Sequence, residues 1–339
     1  MTTKKQYKAS SSKLNQLDKF TPKKKQTMKA VEYMHSSKSP RINENRLTRL
    51  MYCGSFLEFV ADVNKDKHKL INANFCRDRF CPMCQWRNAA KESYSLSVMM
   101  TAIEAELSYK FIFLTLTVKN VTADKLDDEL KLLSRAFSNL IKRVNRKNEV
   151  SKGYVRKLEI TYNKERDDYH PHIHALVAVN KSYFTSRDYI SQKEWLRMWR
   201  EVTGKTGVDE LGRDEISQLN VQRVKDINDS ALEVGKYTVK SIEYLDNQEV
   251  FDLMLHVLHG KRLIAFGGCF KDYRDKYKKD ELNQYMDKDM TDYIYRLWMT
   301  WKPKVADYKK EYAEMSEEAK NAYNTAIRNK ENLRKINEI

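Results

Sequence analysis

The spacing of apolar residues changes in a regular order along the middle of the chain, and that order limits the fold. Alternating apolar and polar side chains predict strands, and apolar residues repeated every three to four positions predict helices. The segments are, in order, a strand at 110–118, a helix at 122–146, strands at 154–162 and 171–179, a helix at 191–202, a strand at 218–225 and a helix at 229–245. This β-α-β-β-α-β order predicts an α+β fold with an antiparallel sheet of split βαβ, ferredoxin-like topology.

The segments on either side of this core differ from it in composition. The N-terminal residues are polar and rich in Lys, Ser and Thr, which predicts a basic lead-in without stable structure. Two strands at 51–63 and 69–75 follow, and the stretch after Cys84 has helical composition. The C-terminal residues are highly charged and predict helix. The expected boundaries are 1–45 for the lead-in, 46–270 for the main domain with a cysteine element at 51–90, and 275–339 for a helical region.

Three of the chain's seven histidines lie in the stretch DYHPHIHALVAV at 168–179. Because side chains alternate along a strand, His172 and His174 lie on one face and the residue between them points to the core. Two neutral imidazoles on one face can chelate one divalent ion. A third ligand is expected from the neighbouring strand, where Glu159 has the matching parity, or from His170 at the turn. The alternative is a surface strand that carries histidines without binding a metal.

The helix predicted at 229–245 places Glu233, Tyr237 and Lys240 on one face. A tyrosine hydroxyl can attack a phosphodiester and form a covalent link. A lysine one turn away could favour the phenolate or bind a phosphate oxygen, and a glutamate one turn in the other direction could activate a water. The alternative is a solvated ion pair beside an ordinary tyrosine, since the chain has 20 tyrosines.

The cysteines follow a metal-ligand spacing. Cys76, Cys81 and Cys84 form a C-x₄-C-x₂-C pattern, and Cys53 lies on the preceding predicted strand. This set predicts a structural zinc site, in which His68 could replace Cys53. The alternative is buried free thiols. An odd number of cysteines in a chain of this size argues against a disulfide framework, and the fifth cysteine is expected in the core.

The net charge of +16 predicts a polyanionic partner. The N-terminal residues show no secretory signal, and no apolar run has the length of a membrane span, so we expect a cytoplasmic protein without membrane contact. GKT at 204–206 lacks the glycine that a phosphate-binding loop requires five positions before Gly204, where Trp199 stands. An NTPase is therefore excluded.

Together these segments resemble the HUH endonucleases, and most closely the replication initiators of small rolling-circle plasmids from Gram-positive bacteria. The matching motifs are FLTLT at 113–117, HPHIH at 170–174, EVGKY at 233–237 with Lys240, and NFCRDRFCPMCQWR at 74–87. The resemblance extends over residues 45–270. FLTLT alone is a weak signal, but the motifs in this order are specific.

The resemblance implies a mechanism. In that family the two histidines bind Mg²⁺ or Mn²⁺, here His172 and His174. The tyrosine, here Tyr237, nicks the plus strand and stays on the 5′ phosphate, while the free 3′-hydroxyl primes synthesis. In the subgroup with a single tyrosine, a glutamate four residues earlier serves the terminating cleavage, which matches Glu233. The third metal ligand varies within the family.

The resemblance also implies partners. These are plasmid origin DNA with a hairpin or single-stranded nick site, a host helicase, a DNA polymerase and a single-strand-binding protein; a monomer and a dimer both remain open. A conjugative relaxase is disfavoured because its tyrosine precedes the histidine motif. A single-tyrosine transposase and a non-catalytic, zinc-containing DNA-binding regulator are the remaining alternatives.

Overall fold

The computed structural model describes residues 16–208, 212–216, 218–235 and 244–329. The helices are α1 (Phe20–Ser36), α2 (Glu44–Met51), α3 (Pro82–Leu107), α4 (Leu126–Asn148), α5 (Gln192–Thr203), α6 (Ile227–Gly235), α7 (Gln248–Val257), α8 (Cys269–Lys278) and α9 (Glu317–Arg328). The strands are β1 (Phe56–Asp62), β2 (His68–Ala73), β3 (Lys110–Thr117), β4 (Gly153–Asn163), β5 (Asp168–Val179), β6 (Asn220–Arg223), β7 (Ile264–Gly268), β8 (Tyr293–Lys302) and β9 (Asp307–Glu314).

The chain divides into two compact units. Of the described residues, the first unit contains 16–31, 43–83 and 288–329, and the second contains 32–42 and those between 84 and 287. Among the described residues, no helix is both long and apolar enough to span a membrane.

The second unit has an antiparallel five-stranded sheet in the order β6-β3-β5-β4-β7. In the succession β3-α4-β4-β5-α5-β6, the first and third strands lie at the centre, and the second and fourth flank them. This is the split βαβ topology, so the predicted α+β, ferredoxin-like core is confirmed. Strand β7 extends the sheet beyond β4.

The two faces of this sheet have different coverings. The crossover helices α4 and α5 pack against each other, and α4 packs on β5. Leu158, Ile160 and Ile173 are buried between strands and helices on this side, where each contributes roughly 1.5–3 kcal/mol of burial free energy. The opposite face carries an apolar cluster formed with α3, α6 and α8, in which Phe111, Leu176 and their neighbours are buried. His172 and His174 share the parity of Leu176, so they continue this second face at its polar end.

The first unit contains a second antiparallel sheet, in the order β2-β1-β8-β9. The predicted helical region over 275–339 is therefore wrong for 293–302 and 307–314, which are strands; helix α9 is the helical part that the prediction described correctly. Leu297, Met299 and Trp301 are buried at every second position of β8. This alternation outweighs the helix propensity of the many Lys and Glu residues, and the charged β9 is an edge strand, where exposed charges are common.

The predicted unstructured lead-in is also wrong for part of its length, because α1 occupies Phe20–Ser36. The helix buries Phe20, Lys24, Thr27, Ala30 and Met34, which repeat at helical spacing. Two of these five positions are polar residues, so the sequence pattern does not show an apolar stripe. The other domain boundaries stay predictions.

Candidate metal centre and active site

The hairpin of β4 and β5 brings Glu159, His172 and His174 together. Glu159 lies directly opposite His172 in the strand register. The Glu159 Oε2 atom is 3.4 Å from His174 Nε2 and 3.9 Å from His172 Nε2. The three donor atoms lie within 4.8 Å of one another. His170 pairs with Thr161 one step further along the hairpin and is not part of this group.

Hydrogen bonds orient both imidazole rings. The His172 Nδ1–H donates to the backbone carbonyl of His170 at 3.1 Å, which leaves Nε2 to face Glu159. His174 Nδ1 lies 3.3 Å from the hydroxyl oxygen of Thr115 on the neighbouring strand β3. Second partners of this kind commonly fix the tautomer of a metal-binding histidine. Thr115 belongs to the FLTLT motif. Its contact with His174 gives this position of the motif a structural role that the sequence alone does not show.

The electrostatics suit a cation at this position. Burial, together with the imidazole of His174, lowers the pKa of His172 to about 4, so its ring is neutral at neutral pH, which is the form that binds metals. Lys157 lies on the same sheet face, and burial lowers its pKa to about 8 while Glu159 raises it. Two imidazole nitrogens and one carboxylate within 4.8 Å can hold a single divalent ion.

Helix α6 brings Glu233 to the same region. A cleft of about 790 Å³ is lined by Glu233, His174 and Thr115 among others, and the Glu233 carboxylate raises the pKa of His172 as one of the smaller influences on that ring. Tyr237 and Lys240 lie outside the described residues. The structure therefore brings Glu233 to the histidines, and the roles of Tyr237 and Lys240 stay predictions.

Gly235 explains how α6 lies so close to α3. A Cβ atom at Gly235 would overlap the Ser93 side chain and would lie 2.9 Å from the Ser93 Cα. Contacts below 3.0 Å require a neighbour to shift. The glycine in EVGKY therefore permits the close packing of the helix that carries Glu233.

The four cysteines predicted to bind zinc form a second buried group. The sulfur atoms of Cys53, Cys76, Cys81 and Cys84 lie within 4.8 Å of one another. The backbone N–H of Cys76 donates to Cys53 Sγ at 3.3 Å, and the N–H of Asp78 donates to Cys76 Sγ at 3.4 Å. Such bonds favour thiolates, the metal-binding form. The donor set fits a tetrahedral thiolate site.

His68 and Cys269, the other two residues considered in the sequence analysis, lie outside this group. His68 contacts Phe59 and Tyr312 instead, so Cys53 completes the set. Cys269 is buried in the apolar cluster of the second unit, as expected for a core cysteine.

Lys24 is the residue near the cysteines that sequence reasoning missed. Its side chain is fully buried, and its Nζ donates to the backbone carbonyls of Met51 at 2.6 Å and Cys53 at 2.9 Å. Burial lowers the pKa of Lys24, and the thiolates of the cysteine group raise it. Four thiolates around one divalent ion carry a net negative charge, which a buried ammonium offsets. No sequence signal separates this lysine from others in a basic segment.

Comparisons with known proteins connect these sites to a family. The Rep_1 family, described as "Replication protein", matches residues 67–309. A "Protein rep" from Staphylococcus aureus is 47% identical over 234 residues, which cover 68% of this chain and 96% of the relative. A "Protein rep" from Streptococcus pneumoniae serotype 2 (strain D39 / NCTC 7466) is 35% identical over 241 residues, which cover 69% of this chain and 72% of the relative. No solved structure matches the chain.

The segment matched by the family contains both histidines, Glu159 and Glu233. It covers more than half of the chain, and the Staphylococcus aureus relative is matched over almost its whole length. The resemblance indicated by the motifs is thus confirmed at the level of the family: the chain belongs to the Rep_1 family of replication proteins.

Proposed function

We propose that this chain initiates rolling-circle replication of a plasmid by nicking one strand of the double-strand origin, and that it terminates replication by a second cleavage and joining step. The observation that carries the proposal is the group of Glu159, His172 and His174, which adjoins a cleft also lined by Glu233. Tyr237 follows Glu233 by four residues in the sequence. Membership of a replication-protein family supports the same function.

The metal ligands in this proposal are Glu159, His172 and His174, with Mg²⁺ or Mn²⁺ as the ion. When bound, the ion would polarise the scissile phosphate and stabilise the charge that develops on it. The protein fixes the positions of these ligands, because the strand register aligns Glu159 with His172 and Thr115 orients His174.

The nucleophile in this proposal is the hydroxyl oxygen of Tyr237. It attacks phosphorus and loses its proton, so a phosphotyrosyl bond forms at the 5′ phosphate. The bond from phosphorus to the 3′ oxygen breaks, and that oxygen takes up a proton to give the 3′-hydroxyl primer. Lys240 would favour the phenolate or bind a phosphate oxygen.

Glu233 would serve termination. In the second cleavage it accepts a proton from a water that attacks phosphorus; the bond from phosphorus to the 3′ oxygen breaks, and that oxygen takes up a proton, so this cut leaves no link to protein. The released 3′-hydroxyl then loses its proton and attacks the phosphorus of the phosphotyrosyl link; the bond from phosphorus to the tyrosine oxygen breaks and that oxygen takes up a proton, which joins the DNA ends and frees Tyr237. A single tyrosine is sufficient for both cleavages because a water acts as the nucleophile in the second one.

The proposed partners follow from the same function. The net charge of +16 suits contacts with the phosphates of origin DNA. A host helicase, a DNA polymerase and a single-strand-binding protein would complete replication in the cytoplasm, since the sequence carries no phosphate-binding loop of its own. We also propose that the buried cysteine group holds a structural Zn²⁺, supported by its thiolate-favouring hydrogen bonds and by Lys24.

A nicking assay tests the proposal. Supercoiled DNA carrying the origin of the plasmid that encodes this chain is incubated with Mn²⁺ and either the unmodified protein or Tyr237→Phe. A denaturing gel then resolves protein–DNA adducts. We expect nicked circles and a covalent adduct with the unmodified protein, loss of both with EDTA, and loss of both with Tyr237→Phe. The matched control is Tyr189→Phe, because Tyr189 is an exposed tyrosine outside the motifs.

The other outcomes separate the alternatives. Origin binding by a folded protein that gives neither nick nor adduct would contradict the proposal and would support a non-catalytic regulator. Covalent adducts with the DNA ends of a transposable element, but not with the plasmid origin, would favour a transposase.

A further inference from the structure

The cleft beside the metal group extends along the edge of the sheet. Its lining includes Phe113, Thr115 and His174 on the inner strands and Asn220 and Gln222 on β6. In the described part of the sheet, β6 is the outermost strand and pairs with β3 alone. A volume of about 790 Å³ is within the range of about 300–1,000 Å³ in which proteins enclose small ligands.

Two amide side chains project into this cleft from β6. Thr115 pairs with Asn220 and Phe113 pairs with Gln222, so both amides lie on the face of the sheet that carries His174. Asn220 and Gln222 are exposed, and within the described residues their side chains make no hydrogen bond. Each amide offers donors and an acceptor and carries no charge. Such groups can pair with the edges of nucleic-acid bases, as Asn and Gln do with adenine.

The spacing of the two amides favours a single strand. Residues two apart on a strand are separated by about 6.8 Å. This is roughly twice the rise of about 3.4 Å per nucleotide in a stacked strand. Successive bases can therefore reach both amides only when they are unstacked, as in the single-stranded loops that proteins commonly read.

The carboxylates in the cleft favour bases over phosphates where they lie. Asp226 and Asp229 also line the cleft, and Asp226 Oδ1 accepts a hydrogen bond from the backbone N–H of Asp229 at the start of α6. Their carboxylates would repel phosphate. Arg223 and Lys225 are exposed cations that also line the cleft, and they suit contacts with the flanking phosphates. The half-buried ring of Phe113, 5.5 Å from the ring of His174, adds an apolar surface.

We infer that Asn220 and Gln222 read two bases of single-stranded origin DNA next to the cleaved phosphate. The inference rests on the proposed function for the identity of the DNA, and it assigns sequence selection near the nick to β6. The ligand is a single DNA strand with unstacked bases. Each amide recognises one base, because their separation prevents both from reaching the same base edge.

Binding selectivity tests this inference. The probe is a fluorescent single-stranded oligonucleotide that spans the mapped nick site, with each position near the nick changed singly to the other three bases. Affinities are measured without divalent metal for the unmodified full chain and for Asn220→Ala, Gln222→Ala and the double variant. We expect one position for each amide at which discrimination, on the order of 10-fold in the unmodified chain, falls to about 1.

Matched variants make the result specific. Gln192→Ala removes an exposed glutamine from α5 and should leave every preference unchanged. Gln222→Glu keeps the side-chain shape but replaces the donor by an acceptor, so it should alter the preferred base while the protein stays folded. Unchanged discrimination at every position in the double variant would overturn the inference.

Nicking by the same proteins separates the two proposals. Nicking together with unchanged base preferences would overturn the inference and leave the proposed function standing. Altered base preferences in a protein that never nicks would contradict the proposed enzyme and support base reading by β6.

Discussion

The hydroxyl oxygen of Thr115 lies 3.3 Å from Nδ1 of His174, and the register of β3 and β5 pairs these two residues directly. A proton on Nδ1 that is donated to this hydroxyl leaves the Nε2 lone pair directed towards Glu159. The FLTLT strand thus orients a ligand of the proposed metal centre.

Replacing Thr115 by Val removes the hydroxyl and keeps the shape of the side chain. We expect the Mn²⁺ affinity to fall about 10- to 100-fold, the usual cost of losing an outer partner of a metal-binding histidine. Calorimetric titration with Mn²⁺ measures this loss. Thr115→Ser retains the hydroxyl and should bind Mn²⁺ nearly as well as the unmodified chain. Equal affinities for the Val and Ser variants would show that the hydroxyl has no such role.

The identity of the third metal ligand can be tested with two substitutions on adjacent strands. Glu159 lies 3.4 Å from His174 Nε2, whereas His170 uses a position further along the hairpin. We therefore expect Glu159→Gln, like His174→Ala, to abolish tight Mn²⁺ binding, while His170→Ala changes the affinity only slightly. Mn²⁺ electron paramagnetic resonance distinguishes bound from free ion. If His170→Ala abolished tight Mn²⁺ binding and Glu159→Gln changed it only slightly, the third ligand would be His170.

Lys24 should support the cysteine group through its charge. In Lys24→Met the apolar stem remains, but two buried carbonyls lose their donor and the thiolates lose a cation. We expect zinc affinity, measured by chelator competition, to fall by on the order of 10-fold. Lys25→Met, at an exposed neighbouring position, is the control.

A double-mutant cycle separates charge from packing at Lys24. In a Cys84→Ser background, in which the metal site is broken, Lys24→Met should cost less unfolding free energy than in the unmodified chain. An equal loss of unfolding free energy in both backgrounds would show that Lys24 contributes through packing and not through its charge. Cys269→Ser, in the apolar core, should leave the zinc content at one ion per chain.

Gly235→Ala tests the close approach of α6 to α3. An alanine in an exposed helix gains up to about 1 kcal/mol over glycine. Here the added Cβ collides with Ser93, so we expect a loss of about 1–3 kcal/mol of unfolding free energy, as for other overpacked sites. Urea denaturation measures it. Gly207→Ala, where the nearest atom is Glu215 Oε2 at 3.4 Å, should change little. A stable Gly235→Ala variant would show that α6 can shift freely.

Local patterns were sufficient to predict the core and much of the candidate site. Strand alternation placed His172 and His174 on one face, and the parity of the short hairpin made Glu159 a candidate neighbour beside His170; the structure brings Glu159 to the two histidines. Each of these inferences depends on residues close in sequence. The helix predicted at 191–202 is α5, and Ser191 caps its first turn by accepting a hydrogen bond from the N–H of Glu194.

The failures arise where a distant segment decides the structure. Lys24 and Thr27 count as polar in any pattern, yet both are buried because α1 packs beside the cysteine segment. Strand β8 was predicted as helix because the charged residues around it favour helix. Its pairing with β1 determines its conformation, and that partner is about 240 residues away in the chain.

The pairing of β1 with β8 has a consequence for biosynthesis. The chain of the second unit is inserted between two strands that must hydrogen-bond to each other. Ribosomes add about 5–20 residues per second, so β1 has no partner on that side for roughly 10–50 seconds after it is made. The inserted unit can complete its own sheet in this interval. During synthesis, β1 is therefore the strand that is exposed to wrong pairing for the longest time. A chain truncated before residue 293 would lack β8, so this edge of β1 would stay unpaired.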